Sequence, residues 1–125
     1  MSERLTVPSG GDYENVYGYS RAVRVGPHVH VAGTCARGED LDGDTYGQAA
    51  AALRIIVGAL QEAGASARDV VRTVAYVTDI ADADLVARAH REVFADVRPA
   101  ATMVAVTALL DPRMRVEIEA YAIIS

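Results

Sequence analysis

The sequence contains no tryptophan and no lysine, and only one cysteine and one phenylalanine, in 125 residues. The single cysteine, Cys35, excludes an internal disulfide framework and fits a reducing cytoplasm. No apolar run approaches the roughly 20 residues that a membrane span requires. The N-terminal segment also lacks the apolar core of a secretory signal. We therefore predict a cytoplasmic protein that makes no membrane contact.

Positive charge is also scarce and scattered. The formal net charge is −5, every basic residue apart from histidine is an arginine, and the arginines form no cluster. This balance disfavours nucleic acid or an anionic membrane as the main partner. Hydrophobic residues make up 51% of the chain, and no linker or repeat divides it. We predict a single domain over residues 1–125 with a packed core.

Familiar cofactor and metal motifs are missing as well. There is no phosphate-binding loop, no GxGxxG after a strand and no GxSxG. His28 and His30 share one face of a predicted strand, a spacing that could hold a metal, but no third ligand or companion motif accompanies them. We predict no metal site and interpret the pair as surface or interface histidines. No cofactor is expected.

The most regular stretch is the last third of the chain, Pro99–Ala122. Two apolar runs are joined by a turn at Asp111–Pro112, and in the second run the side chains alternate. One face is purely apolar. The other carries Glu117 and Glu119, two residue rises or roughly 7 Å apart. Function is expected on this carboxylate face, although pattern alone favours an exposed or cross-strand-bridged pair.

The rest of the chain predicts alternating strands and helices. Residues 1–15 are polar and glycine-rich and are expected to form a loosely held arm. The further predicted elements are strands Tyr19–Val25, His28–Gly33 and Val70–Thr78, a helix Thr45–Ala63 with a Thr45/Gln48 capping box and a stop at Gly64, and a helix from Asp79 or Asp82 to Phe94. The order β-β-α-β-α-β-β predicts an α/β (α+β) protein with a mixed sheet and two helices on one face. Oligomerisation would bury the other face.

Two groups of residues leave alternatives open. Tyr13, Tyr17 and Tyr19 lie close together and could cover a sheet edge, which we favour, or form the aromatic wall of a pocket. Cys35 follows a strand and could face a cleft. Without an adjacent base, a small buried side chain is the better interpretation than a nucleophile.

Three sets of residues together resemble one known family. They are Gly18–Val23, Val25–Gly26 and Val31–Thr34; then Gln48, Leu60, Ala63–Gly64, Asp69–Val71 and Thr78–Asp79; then Pro99–Ala100 and Val116–Ala120. In order and spacing they resemble the signatures of the RidA/YjgF/YER057c/UK114 (Rid) superfamily. The resemblance runs from about Tyr17 to Ile123, nearly the whole chain.

This resemblance implies a chorismate-mutase-like fold and a homotrimer with a cleft at each subunit interface. Enzymes of the superfamily hydrolyse reactive enamines and imines, such as 2-aminoacrylate and its imine tautomer, to 2-keto acids and ammonia without a cofactor. The cleft positions carried over to this chain are Tyr19, Ala32, Gly33, Thr34, Ala101, Thr102 and Met103 for substrate binding and Glu117 for catalysis.

The chain departs from the deaminating members at three of these positions. They carry an arginine, which holds the substrate carboxylate, where this chain has Ala101, and alanine cannot replace the bidentate contact of a guanidinium. Many members also have a serine at the position of Ala32 and a cysteine at that of Met103. This looks like an arginine-less subgroup, so a standard 2-iminopropionate deaminase is not expected. Arg21, Arg37 or Arg98 could substitute, although solvent exposure is the better expectation for each.

Two functions remain in view. The first is an enzyme in which Glu117 assists water attack on an imine, enamine or related small metabolite that is less acidic and more apolar than 2-iminopropionate. The alternative is a non-catalytic module that binds a small molecule or a partner protein. An endoribonuclease, an older name attached to the superfamily, is disfavoured by the negative charge.

Overall fold

The protein is described by a computed structural model that covers residues 3–125, and Met1 and Ser2 lie outside the described residues. Within this range six strands form one mixed sheet in the spatial order β1-β2-β3-β6-β4-β5. The strands are β1 (Arg4–Val7), β2 (Ala22–Val25), β3 (His28–Thr34), β4 (Val70–Val77), β5 (Ala100–Ala105) and β6 (Val116–Ile123). The helices are α1 (Tyr13–Tyr17), α2 (Thr45–Glu62) and α3 (Ala83–Phe94).

The described part of the N-terminal segment is ordered, so the prediction of a loosely held arm over residues 1–15 is wrong for it. Strand β1 pairs antiparallel with β2, from Arg4 opposite Val25 to Val7 opposite Ala22. Val7 is buried in the core. The free edge of β2 supplies backbone hydrogen-bond partners to this segment, and composition alone did not reveal them.

The first predicted hairpin is confirmed with one shortened strand. β2 pairs with β3 in register from Ala22 opposite Val31 to Val25 opposite His28. The first strand begins at Ala22 rather than at Tyr19, because the Tyr19 N–H donates to the carbonyl of Glu14 in the first turn of α1. Gly18 ends that short helix with a left-handed φ of 82°.

Helix α2 is confirmed, but the predicted capping box is wrong. The N-cap is Asp44, whose carboxylate accepts from the Gly47 N–H at 2.8 Å. The Thr45 hydroxyl instead donates to Asp82 at 2.7 Å, and Gln48 turns into the protein. Gly64 follows the helix with φ 88°, as its predicted stop requires.

Helix α3 connects two parallel neighbours, β4 and β5. Its N-cap is Asp82, one of the two predicted residues, but no side-chain bond caps the helix. Asp79 accepts from Ala81 in the preceding 3-10 turn. The last strand, β6, lies between β3 and β4 and is antiparallel to both. The two final strands are therefore consecutive along the chain but are not neighbours in the sheet.

The predicted alternation of β6 is confirmed and divides the molecule into two faces. Val116, Ile118, Ala120 and Ala122 are buried under the helices in one core. Glu117, Glu119 and Tyr121 lie on the opposite face and are half-buried. We call this opposite side the open face. The predicted mixed sheet with two helices on one face is thus confirmed.

His28 and His30 lie on the open face and stack against Tyr121, with ring centroids 5.8 and 4.4 Å away. Within residues 3–125, no group of three or more histidine, cysteine or acidic side chains is placed to hold a metal ion. None of the helices in this range is both long and apolar enough to cross a membrane.

Candidate functional site

Two adjoining cavities lie where β3 and β6 meet the chain segments beside them. The larger, of about 560 Å³, is lined by Tyr13, Tyr17, Tyr19, Ala32, Gly33, Ala108, Leu109, Leu110 and Glu117. The smaller, of about 280 Å³, shares five of these residues and adds polar ones, chiefly Arg21, Cys35 and Arg37. We call them the apolar cavity and the polar cavity.

The floor of both cavities is a bulge in β3. Val31 pairs with Ala120 and Thr34 pairs with Ile118, so Ala32 and Gly33 lie opposite a single residue of β6. A Cβ atom at position 33 would lie 2.7 Å from Glu117 Oε2 and 2.8 Å from its Cδ. A side chain at position 33 would therefore displace the Glu117 carboxylate, which lies against the β3 backbone because this residue is glycine.

The two carboxylates of β6 have different environments. Glu119 accepts a hydrogen bond from the Tyr76 hydroxyl on β4 at 2.6 Å, a contact that raises the pKa of Tyr76. This is the cross-strand-bridged state considered from the sequence. Among residues 3–125, Glu117 accepts only a weak bond from the Cys35 thiol, at 3.6 Å. No arginine or histidine nitrogen of residues 3–125 lies within 4.0 Å of it. Its oxygens are thus available to a water or a ligand.

Cys35 is a protonated thiol in this environment. Burial raises its pKa to about 12, and the negative charge of Glu117 and the hydrogen bond to it act in the same direction. A thiolate is the nucleophilic form of cysteine, and a pKa this high suppresses it at neutral pH. Cys35 is half-buried, and the geometry supports its interpretation as an ordinary small side chain rather than as a nucleophile.

Arg21 is buried, so the expectation of solvent exposure is wrong for this residue. It is only 8% exposed. Its Nη1 donates to the Gly33 carbonyl at 2.9 Å and to Thr34 Oγ1 at 2.7 Å, and its Nη2 donates to the Tyr19 hydroxyl at 3.1 Å. Arg21 thus connects the backbone of the bulge to the Tyr19 hydroxyl.

Three tyrosines form one wall of the apolar cavity. Tyr13 and Tyr17 stack one helical turn apart on α1, with ring centroids at 5.8 Å, and Tyr17 meets Tyr19 at 6.2 Å. The interpretation as an aromatic wall, which the sequence left as the less favoured alternative, is the one that the structure bears out. α1 brings the rings together, and its existence was not predicted.

The opposite wall comes from the loop between β5 and β6, which sequence reasoning left out of the site. Ala108, Leu109 and Leu110 line the apolar cavity, and Leu110 is 73% exposed. A signal for this wall was present, since three consecutive apolar residues precede the Asp111–Pro112 turn. Apolar residues in an exposed loop are typical of binding surfaces.

The predicted site residues fall into two groups. Tyr19, Ala32, Gly33 and Glu117 line the apolar cavity. Thr34 lies just behind it, 1% exposed, with its hydroxyl bonded to Arg21 and to the Ala32 carbonyl. Ala101, Thr102 and Met103 lie on β5, which β4 separates from β6. They are not brought to the cavity of their own chain.

Comparisons with known proteins agree on one relationship. The family model described as Endoribonuclease L-PSP matches residues 12–124. An uncharacterised protein of Streptomyces coelicolor is 40% identical over 92% of this chain and 90% of its own length. A RutC family protein of Pyrococcus abyssi is 35% identical over 83% of this chain and 84% of its own.

Solved structures give the same result. A crystal structure of a member of the YjgF/YER057c/UK114 family from Mycobacterium tuberculosis is 48% identical, with a TM-score of 0.92 over 98% of this chain and all of that one. A putative endoribonuclease from Thermotoga maritima is 28% identical, with a TM-score of 0.82 over 96% and 92% of the two chains.

Proposed function

Because this chain belongs to the YjgF/UK114 family of the Rid superfamily, we propose that it hydrolyses a small imine or enamine with Glu117 as the base that activates water. The observation that carries the proposal is the state of Glu117. Its carboxylate lies against Gly33 at the floor of a cavity, without a cationic partner among the described residues. A carboxylate in this state can bind and orient a water molecule.

The proposed reaction needs only water and one proton-transfer group. As the water oxygen bonds to the imine carbon, Glu117 accepts a water proton, the C=N electron pair moves to nitrogen, and Glu117 passes that proton to the nitrogen. In the resulting aminoalcohol, Glu117 accepts the hydroxyl proton as the C=O bond forms and the C–N bond breaks, and it passes this proton to the departing nitrogen. The products are a carbonyl compound and ammonia, so atoms balance without an oxidant, a metal or a cofactor.

Tyr19 is proposed to bind the ligand by its hydroxyl. This oxygen accepts from Arg21 Nη2 at 3.1 Å, which leaves its own proton free to donate. The hydroxyl therefore offers a hydrogen bond to a polar atom of the ligand, while the ring forms part of the apolar wall.

The walls of the larger cavity favour an apolar body in the substrate. Three tyrosines and the Ala108–Leu110 segment line it, and a cavity of about 560 Å³ is within the usual size range of small-molecule sites. Ala101, Thr102 and Met103 are proposed to enter this site from another copy of the chain. A homotrimer would supply them at each interface, as the resemblance implies.

The test is ammonia release from a panel of enzymatically generated imines, from small and polar to large and apolar, against a blank without the protein. Acceleration is expected to be greatest for apolar imines. Glu117→Gln should lower it by about 100-fold or more, the usual contribution of a positioned base. Glu119→Gln is the matched control, because it removes the same charge one side chain away and keeps an acceptor for Tyr76.

Unchanged turnover in Glu117→Gln would contradict the role of this residue. If the protein accelerates no imine, the hydrolase proposal is wrong. A ligand that raises the melting temperature and is recovered unchanged would then identify the chain as a binding module.

A further inference from the structure

The buried guanidinium of Arg21 has no carboxylate partner. No acidic oxygen of residues 3–125 lies within 4.0 Å of its nitrogens, and its Nε is buried without any hydrogen-bond partner. A charge removed from water is costly unless an opposite charge or a full set of hydrogen bonds compensates it. The local structure supplies only part of this compensation.

One donor of the guanidinium remains for a ligand. Arginine has five N–H donors. Nη1 uses its two on Gly33 and Thr34, Nη2 uses one on Tyr19, and Nε uses none. Nε is covered by the protein, so the second N–H of Nη2 is the donor left for a ligand. A carboxylate oxygen can accept from it in a charge-assisted hydrogen bond.

Arg21 is also in the right place to contact a ligand. It lines the polar cavity together with Tyr19 and Glu117, which line the apolar cavity as well. The other two candidate arginines are less suitable. Arg37 is exposed and donates to the Ser9 carbonyl, and Arg98 lies in a separate cavity beside His90 and Phe94.

We propose that Arg21 binds the carboxylate of the ligand through the free N–H of Nη2, in place of the arginine absent at position 101. The ligand is then a small carboxylate with a branched or aromatic apolar body, which lies between the tyrosines and Leu110. The positive charge of Arg21 also offsets the repulsion that Glu117 exerts on a second anion nearby. The claim that this carboxylate is the substrate of the reaction rests on the proposed function. The claim that Arg21 binds it does not.

Binding of a charge-matched pair of probes tests the inference. 3-Phenylpropanoate and 3-phenylpropanamide have the same apolar body and differ in charge, and both can be titrated into the full chain by calorimetry. The carboxylate is expected to bind about tenfold more tightly, as one charge-assisted hydrogen bond predicts. Arg21→Gln should remove this preference. Arg54→Gln, which removes an equal charge from an exposed position on α2, should keep it.

A measurement on the unsubstituted protein avoids dependence on the folding of Arg21→Gln. The ¹⁵N–¹H signal of Arg21 Nε, which belongs to the same planar group as Nη2, should shift when 3-phenylpropanoate is added but not when the amide is added. Equal affinity for the two probes, an unmoved Nε signal, or a preference retained in folded Arg21→Gln would each overturn the inference.

Binding and turnover separate the two proposals. Carboxylate preference without imine hydrolysis would leave Arg21 as the anion-binding group and remove the hydrolase function. Turnover of neutral and carboxylate-bearing imines at equal rates would support Glu117 as the base and contradict Arg21 as the group that binds the carboxylate.

Discussion

The thiol of Cys35 donates to the carboxylate of Glu117, so the titration of this cysteine depends on the environment of the site. The folded protein raises the thiol pKa from 9.0 to about 12, first by burial and then by Glu117. An acid whose pKa is higher in the folded state stabilises that state below the unfolded pKa. This contribution is lost as pH rises from about 9 towards 12.

We therefore predict that the unsubstituted protein loses stability relative to Cys35→Ala between pH 8 and pH 10.5. Urea unfolding of the two proteins at several pH values measures this difference.

The same pKa predicts that iodoacetamide modifies native Cys35 at pH 9 at least about tenfold more slowly than it modifies the unfolded chain. If the free energy of unfolding depends on pH in the same way for the two proteins, or if the native thiol is modified rapidly, the pKa of Cys35 is not raised by the fold.

At the residue scale, the sequence predicted the face on which Glu117 lies but not the burial of Arg21. The alternation of β6 places Glu117 away from the apolar core whatever its neighbours are. The burial of Arg21 depends on carbonyl and hydroxyl partners from β3, and the bulge at Ala32 and Gly33 brings them into position. A one-dimensional pattern does not encode a bulge, so an arginine on an early strand is expected to be exposed.

At the scale of elements, Gln48 connects α2 to two loops. Its Nε2 donates to the carbonyls of Leu41 at 3.0 Å and Arg113 at 2.9 Å, and its Oε1 accepts from the Arg115 N–H at 2.9 Å. The side chain is fully buried. This role replaces the predicted capping box and explains why Gln48 does not turn back towards the start of its helix.

We predict that Gln48→Ala lowers the free energy of unfolding by about 3 kcal/mol or more, because it leaves several buried backbone groups without partners. Urea or thermal unfolding measures the loss. Gln61→Ala, an exposed glutamine on the same helix, is the matched control and should cost less than about 0.5 kcal/mol. If both variants unfold at the same denaturant concentration, the connection through Gln48 is not important for stability.

Which segments form helices and strands was largely predictable, but which of these elements are neighbours in space was not. Periodicity of 3.6 and of 2 revealed α2, α3 and the two faces of β6, because each depends on which side chains are buried. It did not reveal that β6 lies between β3 and β4, that β1 pairs with β2, or that α1 brings Tyr13 and Tyr17 together. Such neighbours are set by contacts between distant segments, which leave the alternation of each segment unchanged.

At the scale of the whole molecule, one chain does not bring all the predicted site residues together. Strands β6, β4 and β5 are successive neighbours, so the backbones of β6 and β5 are separated by two strand spacings, about 10 Å. Glu117 is opposite Tyr76, and Tyr76 is opposite Val104. Thr102 is further along β5 still. Residues of β5 can therefore reach this cavity only as part of another copy.

The open face has the composition of a surface that another copy covers. Val25, Val104 and Ile123 are 42%, 41% and 38% exposed on it, beside the stacked His30 and Tyr121. A sheet face that is only partly polar is buried most simply by association between identical chains. Val104 lies on the edge strand β5, next to the residues proposed to enter a neighbour's cavity.

We predict that the protein in solution has about three times the mass of one chain, as measured by light scattering coupled to size exclusion. Val104→Asp should shift it towards monomer and abolish both ligand binding and imine turnover, because it buries an unpaired charge at the interface. Ile80→Asp is the matched control, since Ile80 is 56% exposed in the turn before α3, and it should leave the mass unchanged.

A monomeric unsubstituted protein that still hydrolyses imines would mean that one chain holds the complete site. A trimer that survives Val104→Asp would place the interface away from this part of β5, and the contribution of Ala101, Thr102 and Met103 would then be excluded.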